Sequence, residues 1–303
     1  MSKYVYILLL LMLTSSCAQQ NNDVVSVKEI SDIPYMAAEK LVDDKLQRLN
    51  LLLPEEVNNP PLLLWIGGGA WSFVDRHMEM ELCRKIAQQG IAVASVGHRL
   101  SKGEFSEKRK KLGVQHPEHI KDVAAAFKWL YDHADSLKYS HRNIYVGGFS
   151  SGAHLAALLA MDSRYLKAND LSPDNIRGII PVSGAFDIEH YYSVFLNHEN
   201  EASRAMAKTH VIDVFGPPST FKAASPTTYL EELKLPILLI ADNAIKQYTE
   251  LFEKALLEIE YADFIIYYEE SMNHGALWRS MSKDEHSVSR AMMITFIKEH
   301  LQQ

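Results

Sequence analysis

Apolar residues in this chain gather into short, nearly unbroken runs: Leu62–Ile66, Ile91–Val96, Ile144–Val146, Ile179–Val182, Ile237–Ala241 and Phe264–Tyr268. Runs this short and this apolar predict strands covered on both faces, and longer segments of helical period separate most of them. The alternation predicts an α/β fold, with a mostly parallel central sheet flanked by helices on both faces. Leu46–Leu53 differs, because Leu49, Leu51 and Leu53 alternate with other positions before Pro54, and it predicts an additional, early antiparallel strand. Residues 189–225 break the alternation with aromatic and helix-forming side chains and predict a small cap over the sheet.

A chain of 303 residues, 47% of them hydrophobic, can bury one large core. No repeat or interdomain linker interrupts residues 33–303, which read as one domain. The net charge of −7 is spread along the chain, so a polyanion partner is not expected and nucleic acid is excluded as a ligand. The basic run Lys108 to Lys111 reads as a solvated loop.

The first 17 residues read as an export signal: Lys3 supplies the positive start, and Tyr4 to Leu13 are apolar but shorter than the roughly 20 residues of a membrane-spanning helix. Thr14, Ser15, Ser16 and Cys17 resemble a bacterial lipobox, with Thr14 where Leu is usual. That resemblance implies lipidation of Cys17 and a lipoprotein held by its N-terminal lipid anchor at a membrane of the cell envelope. Residues 18–32 read as a polar tether. Of the two cysteines, acylation of Cys17 would leave Cys83 alone, without a disulfide partner, and its place among Leu82 and Ile86 reads as a small buried hydrophobe.

The densest chemical signal is Gly148, Phe149, Ser150, Ser151 and Gly152, a G-x-S-x-G segment that follows a predicted strand and opens a helix. Such a turn lifts the Ser150 hydroxyl above the sheet and leaves no room for side chains at 148 and 152. The Ser151 N–H and the helix N-terminus would face the charge that develops on a substrate oxygen. A phosphate loop is excluded because no Lys-Ser or Lys-Thr pair follows the glycines. A second cluster, Gly67, Gly68, Gly69, Ala70 and Trp71, follows the strand Leu62–Ile66.

Together these segments resemble the esterase, lipase and kynurenine-formamidase branch of the α/β-hydrolases, and bacterial acetyl-xylan and feruloyl esterases within it. The glycine cluster looks like the branch's His-Gly-Gly-Gly/Ala-Trp oxyanion loop, with Gly67 where the branch has His. Val96 to Leu100, with His98 in place of Tyr, the His116 to Asp122 segment, Ser183 to Asp187 and Ser225 to Tyr229 are similar to further segments in the same order. The resemblance implies Ser150 as nucleophile, backbone N–H groups of Gly68, Gly69 and Ser151 as the oxyanion hole, and no metal or organic cofactor.

His274 is the histidine placed after the last predicted strand and before the final helix, where the general base belongs. The acid is less defined. The strand alignment puts Ala244 at the usual Asp position, leaving Asp242 as the candidate. Asp187 and an acid-free Ser-His dyad are the competing readings. His154 reads as packing, and His116 with His119 as surface residues, since no third metal ligand accompanies their spacing. Trp71, Phe73, Tyr191, Tyr192, Phe195 and Trp278 divide between pocket lining and core filling without a preference.

These readings predict a serine esterase acting on a small-molecule ester, of short acyl, aryl or carbohydrate-linked type. An amide or formamide hydrolase of the same fold is one alternative. A hydrolase-like binding protein without turnover is the other, motivated by Gly67 and Ala244.

Overall fold

The computed structural model describes residues 24–73, 75–102 and 113–302. In chain order the elements are β1 (Val27–Pro34), β2 (Arg48–Pro54), β3 (Leu62–Ile66), α1 (Met80–Ala87), β4 (Ala92–Val96), α2 (Glu118–Leu137), β5 (Ile144–Phe149) and α3 (Ser151–Met161). They continue through α4 (Ser163–Lys167), β6 (Gly178–Val182), α5 (Ile188–Leu196), α6 (Glu201–Met206), a π-helical turn (Ala207–Ile212), α7 (Asp213–Phe215) and α8 (Phe221–Ala224). The last are β7 (Ile237–Asp242), α9 (Lys246–Glu258), β8 (Phe264–Glu269), α10 (His274–Lys283) and α11 (Val288–Glu299).

The strands form one sheet in the order β1-β2-β4-β3-β5-β6-β7-β8. β2 pairs antiparallel with β1 and β4, and every pairing from β4 onward is parallel. The apolar runs of the sequence are the strands between the edges. All five residues of β3 and of β4 are buried because helices cover both faces.

Alternation along each strand splits the core in two. Leu62, Leu64 and Ile66 of β3 pack with Phe127 and Leu130 of α2, Leu155 of α3 and Phe252 of α9. Leu63 and Trp65 face the opposite layer, with Cys83 of α1, Leu277 and Met281 of α10, and Phe296 of α11. Cys83 is fully buried there and its thiol pKa is pushed well up by burial, as expected of a packing residue.

The expected tether over residues 18–32 is corrected at its C-terminal end. Residues 27–32 belong to β1, which carries an inward apolar residue only at Val27, Ile30 and Ile33 and otherwise polar, exposed side chains. An edge strand at the rim of both helix layers, with Val27 against one core cluster and Ile33 against the other, needs no continuous apolar run, so its sequence looks like a linker. The sheet therefore begins six residues before position 33. The lipobox, Cys17 and residues 18–23, like the basic run Lys108 to Lys111, lie outside the described residues. Among the described residues no helix is long and apolar enough to cross a membrane.

Candidate active site

The C-terminal ends of β3, β5, β6 and β7 open on a cavity of about 570 Å³, and helices inserted between β6 and β7 roof it. Gly68, Gly69, Ser150, Ser151 and His274 all line this space, as do Tyr191, Phe195, Met206 and His210 from the inserted helices. The predicted cap segment thus contributes an apolar wall.

Ser150 occupies the bend between β5 and α3 with φ 54° and ψ −116°, a conformation that costs a non-glycine residue about 1–3 kcal/mol. Its N–H donates to the Val182 carbonyl at 2.8 Å, which fixes the bend to the neighbouring strand. Tight packing explains the flanking glycine: a Cβ at Gly152 would lie 2.0 Å from the Ile66 carbonyl oxygen. Gly68 crosses just above, where a Cβ would approach Ser150 Cβ to 3.0 Å. The glycine loop after β3 and the Ser150 bend are therefore in van der Waals contact.

Among the described residues, the N–H groups of Gly68, Gly69 and Ser151 have no intramolecular acceptor. Free N–H groups at a helix start beside the Ser150 hydroxyl are what an oxyanion requires. The loop that presents them is held in an unusual shape, with positive φ at both Ala70 and Trp71. Ser72 N–H and Phe73 N–H donate to the Gly69 carbonyl, and Ser101 N–H donates to that of Trp71. The Trp71 indole N–H donates to His154 Nδ1 at 3.3 Å, while His154 Nε2 donates to the Ala224 carbonyl at 2.8 Å. Full burial pushes the His154 pKa down to about 3, so the ring stays neutral and can accept from Trp71. His154 packs, as expected, but it also anchors the glycine loop through Trp71, a contact that its sequence position does not disclose.

His274 is the first residue of α10, whose N-cap Asn273 accepts from the Ala276 N–H. Its ring stacks on Phe149, the residue before Ser150, with centroids 4.5 Å apart. Its Nδ1 is 2.7 Å from Asp242 Oδ2. Asp242 ends β7 and is fully buried, and its other oxygen accepts from the Ala244 and Ile245 N–H groups of the tight turn that follows. Burial alone would raise the Asp242 pKa, but hydrogen bonds to His274 and Ser183 outweigh it and hold the carboxyl below its ordinary value. Asn243 joins the two loops: its N–H donates to the Met272 carbonyl and its side chain to that of Glu270. Among the described residues Ser150 and His274 make no direct hydrogen bond, and such bonds commonly tighten only when substrate is present.

Asp187 lies elsewhere in role: it caps α5 by accepting from the His190 N–H. The surface reading of His116 and His119 is corrected. His119 is 1% exposed and bonds the Ser101 hydroxyl at 2.8 Å, and His116 is half-buried against Tyr165 and Phe215. His119 lies on the inward face of α2 and His116 just before that helix, which a metal-spacing test does not detect. No metal-binding cluster occurs among the described residues. Of the aromatic residues, Trp71, Phe73, Tyr191, Phe195 and Trp278 line the cavity, whereas Tyr192 packs on Phe221.

The fold is that of the α/β-hydrolase esterases: esterase B of Lactobacillus rhamnosis superimposes with a TM-score of 0.72 over 90% of this chain and 85% of that one, at 20% identity. In sequence, the chain is 25% identical to kynurenine formamidase of Danio rerio over 209 residues, covering 68% of this chain and 58% of that protein. It is 26% identical to Esterase LipQ of Mycobacterium tuberculosis over 224 residues, covering 70% and 48% respectively. The chain thus spans about half the length of these curated relatives. The family model BD-FAE matches residues 49–256, a stretch that takes in the glycine loop after β3, the Ser150 bend and the Asp242 turn. Because that match extends over more than half of the sequence, the chain belongs to the BD-FAE family.

Proposed function

We propose that this chain is a serine hydrolase that cleaves a carboxylic ester, with Ser150 as nucleophile, His274 as general base and Asp242 as its acid partner. The observation that carries the reading is the 2.7 Å contact between Asp242 and His274, made on a cavity that Ser150 also lines. Asp242 fixes the tautomer with a proton on Nδ1, which leaves Nε2 to take the Ser150 proton. Ser150 Oγ then attacks the ester carbonyl, and Gly68, Gly69 and Ser151 N–H groups hold the oxyanion. His274 gives the proton to the departing alcohol, and water, activated by the same ring, releases the acid from Ser150.

Asp242 also weakens the reading of a binding protein without turnover, since it supplies a carboxylate where Ala244 does not. An aryl formamide remains a second substrate class, favoured by the resemblance to kynurenine formamidase. The test is turnover of short p-nitrophenyl esters and of an N-formyl arylamine, with labelling by a fluorophosphonate. Labelling and turnover are expected in the wild type, and both are lost in Ser150→Ala. A wild-type chain that folds cooperatively yet shows neither would reject the enzyme. The envelope anchor is a separate part of the proposal, and metabolic labelling with palmitate should be lost in Cys17→Ser.

A further inference from the structure

One wall of the cavity carries a group that the acyl-transfer chemistry does not use. Glu79 is the one carboxylic acid among the described residues that line it, and it is 2% exposed. Trp65 Nε1 donates to its Oε2 at 2.8 Å and Trp278 Nε1 to its Oε1 at 3.1 Å. Two neutral indoles thus take one site on each oxygen, whereas a carboxylate offers about four. Among the described residues no lysine or arginine pairs with Glu79. Burial pushes its pKa up and the indoles only partly offset this, so the group gains from any further donor that reaches it.

The place of this carboxyl indicates which part of a substrate it meets. Trp278 follows His274 by one turn on α10, so the two side chains share a face of that helix. His274 delivers its proton to the departing alcohol, which puts the alcohol portion of the ester beside α10. Glu79, bonded to Trp278, flanks that same side.

We propose that Glu79 is a specificity-determining residue that accepts a hydrogen bond from a hydroxyl or ammonium group on the alcohol portion of the substrate. The inference rests on the ester-hydrolase reading and adds the polarity of the leaving group. A site built to bond such a donor discriminates against an ester that lacks it.

Three acetates of similar size test it on the full chain: 4-(hydroxymethyl)benzyl, 4-(aminomethyl)benzyl and 4-ethylbenzyl acetate. The wild type is expected to favour at least one donor-bearing ester by about tenfold in kcat/KM, mainly through KM. A hydroxyl preference and an ammonium preference identify the two forms of the donor. Glu79→Gln should lose the ammonium preference, and Glu79→Leu should lose both while 4-ethylbenzyl acetate is still cleaved. Equal kcat/KM for the three esters in the wild type overturns the proposal, whatever the variants do. An equal fall for all three in Glu79→Gln also overturns it, since Glu79 would then act only as a clamp on Trp278. The wild-type comparison stands even if a variant fails to fold. Absence of all turnover together with absence of Ser150 labelling would instead bring down the hydrolase reading, and this subsite with it.

Discussion

Asp242 makes three kinds of contact at once: one carboxylate oxygen faces His274, the other accepts two N–H groups of its own turn, and its backbone N–H donates to the Ser183 hydroxyl at 3.0 Å. An Asp242→Asn side chain keeps the turn through its amide oxygen but presents an NH2 group to His274. The ring must then carry its proton on Nε2, where it cannot accept from Ser150. The expected outcome is a fall in kcat of about 10⁴-fold with an unchanged circular-dichroism spectrum. Asp187→Asn should leave kcat near wild type, because asparagine caps a helix about as well as aspartate. Equal losses in the two variants would contradict the assignment. This residue also marks a boundary of what sequence conveys. Alignment points to Ala244 because it counts positions along the strand, whereas the carboxylate that reaches His274 is set by where a turn bends back. The Asp242–Asn243 pair makes that bend, and Asn243 ties it to the loop before His274.

At the scale of elements, the sequence discloses what is buried on both faces and hides what lies at an edge. β3, β4, β5 and β7 were legible because two layers of helices demand continuous apolar runs, and the Ser150 bend because steric exclusion there demands glycine. β1 was not legible, since a strand with one open edge needs only Val27, Ile30 and Ile33 inward. Its contribution is nevertheless specific: it covers the exposed edge of β2, its Asp32 N–H donates to the Asn50 side chain, and the Asp32 carboxylate pairs with Arg76. A chain starting at residue 35 would expose β2, with Leu49, Leu51 and Leu52, as the new edge. We expect a lower urea midpoint and self-association in sedimentation, relative to a chain starting at residue 24. A monomer of unchanged midpoint would show that β1 is dispensable. The cap was legible as an interruption of the α/β alternation, but its cavity-facing residues were not, because Tyr191 and Phe195, which line the cavity, and Tyr192, which packs on Phe221, are aromatic alike and composition does not separate them.

For the molecule as a whole, the arrangement around the oxyanion loop ties stability to pH. His98, His116, His119 and His154 lie together beneath it: the His98 and His119 rings are 5.7 Å apart, and His116 and His154 both pack on Phe215. Burial pushes all four pKa values down, His116 to about 4 and His154 to about 3, from an ordinary 6.5. Arg99 adds to the depression at His98 and Asp122 opposes it, as Arg164 and Asp162 respectively do at His116. In the unfolded chain these rings take up protons as pH falls through 6.5, while in the folded chain they do not. The unfolded state therefore binds more protons, and stability decreases as pH falls from about 6.5 toward 4. Each ring that is charged only when unfolded contributes a slope of about 1.4 kcal/mol per pH unit. Above pH 7 the contribution is constant. The urea midpoint measured from pH 7.5 to 5.5 should fall steeply over the lower half of that range, and His154→Gln should reduce the slope by about one proton. A midpoint independent of pH there would mean that the folded protein carries charged imidazoles under its oxyanion loop. In that case the neutral His154 that accepts from Trp71 would not be the form that holds the loop in place.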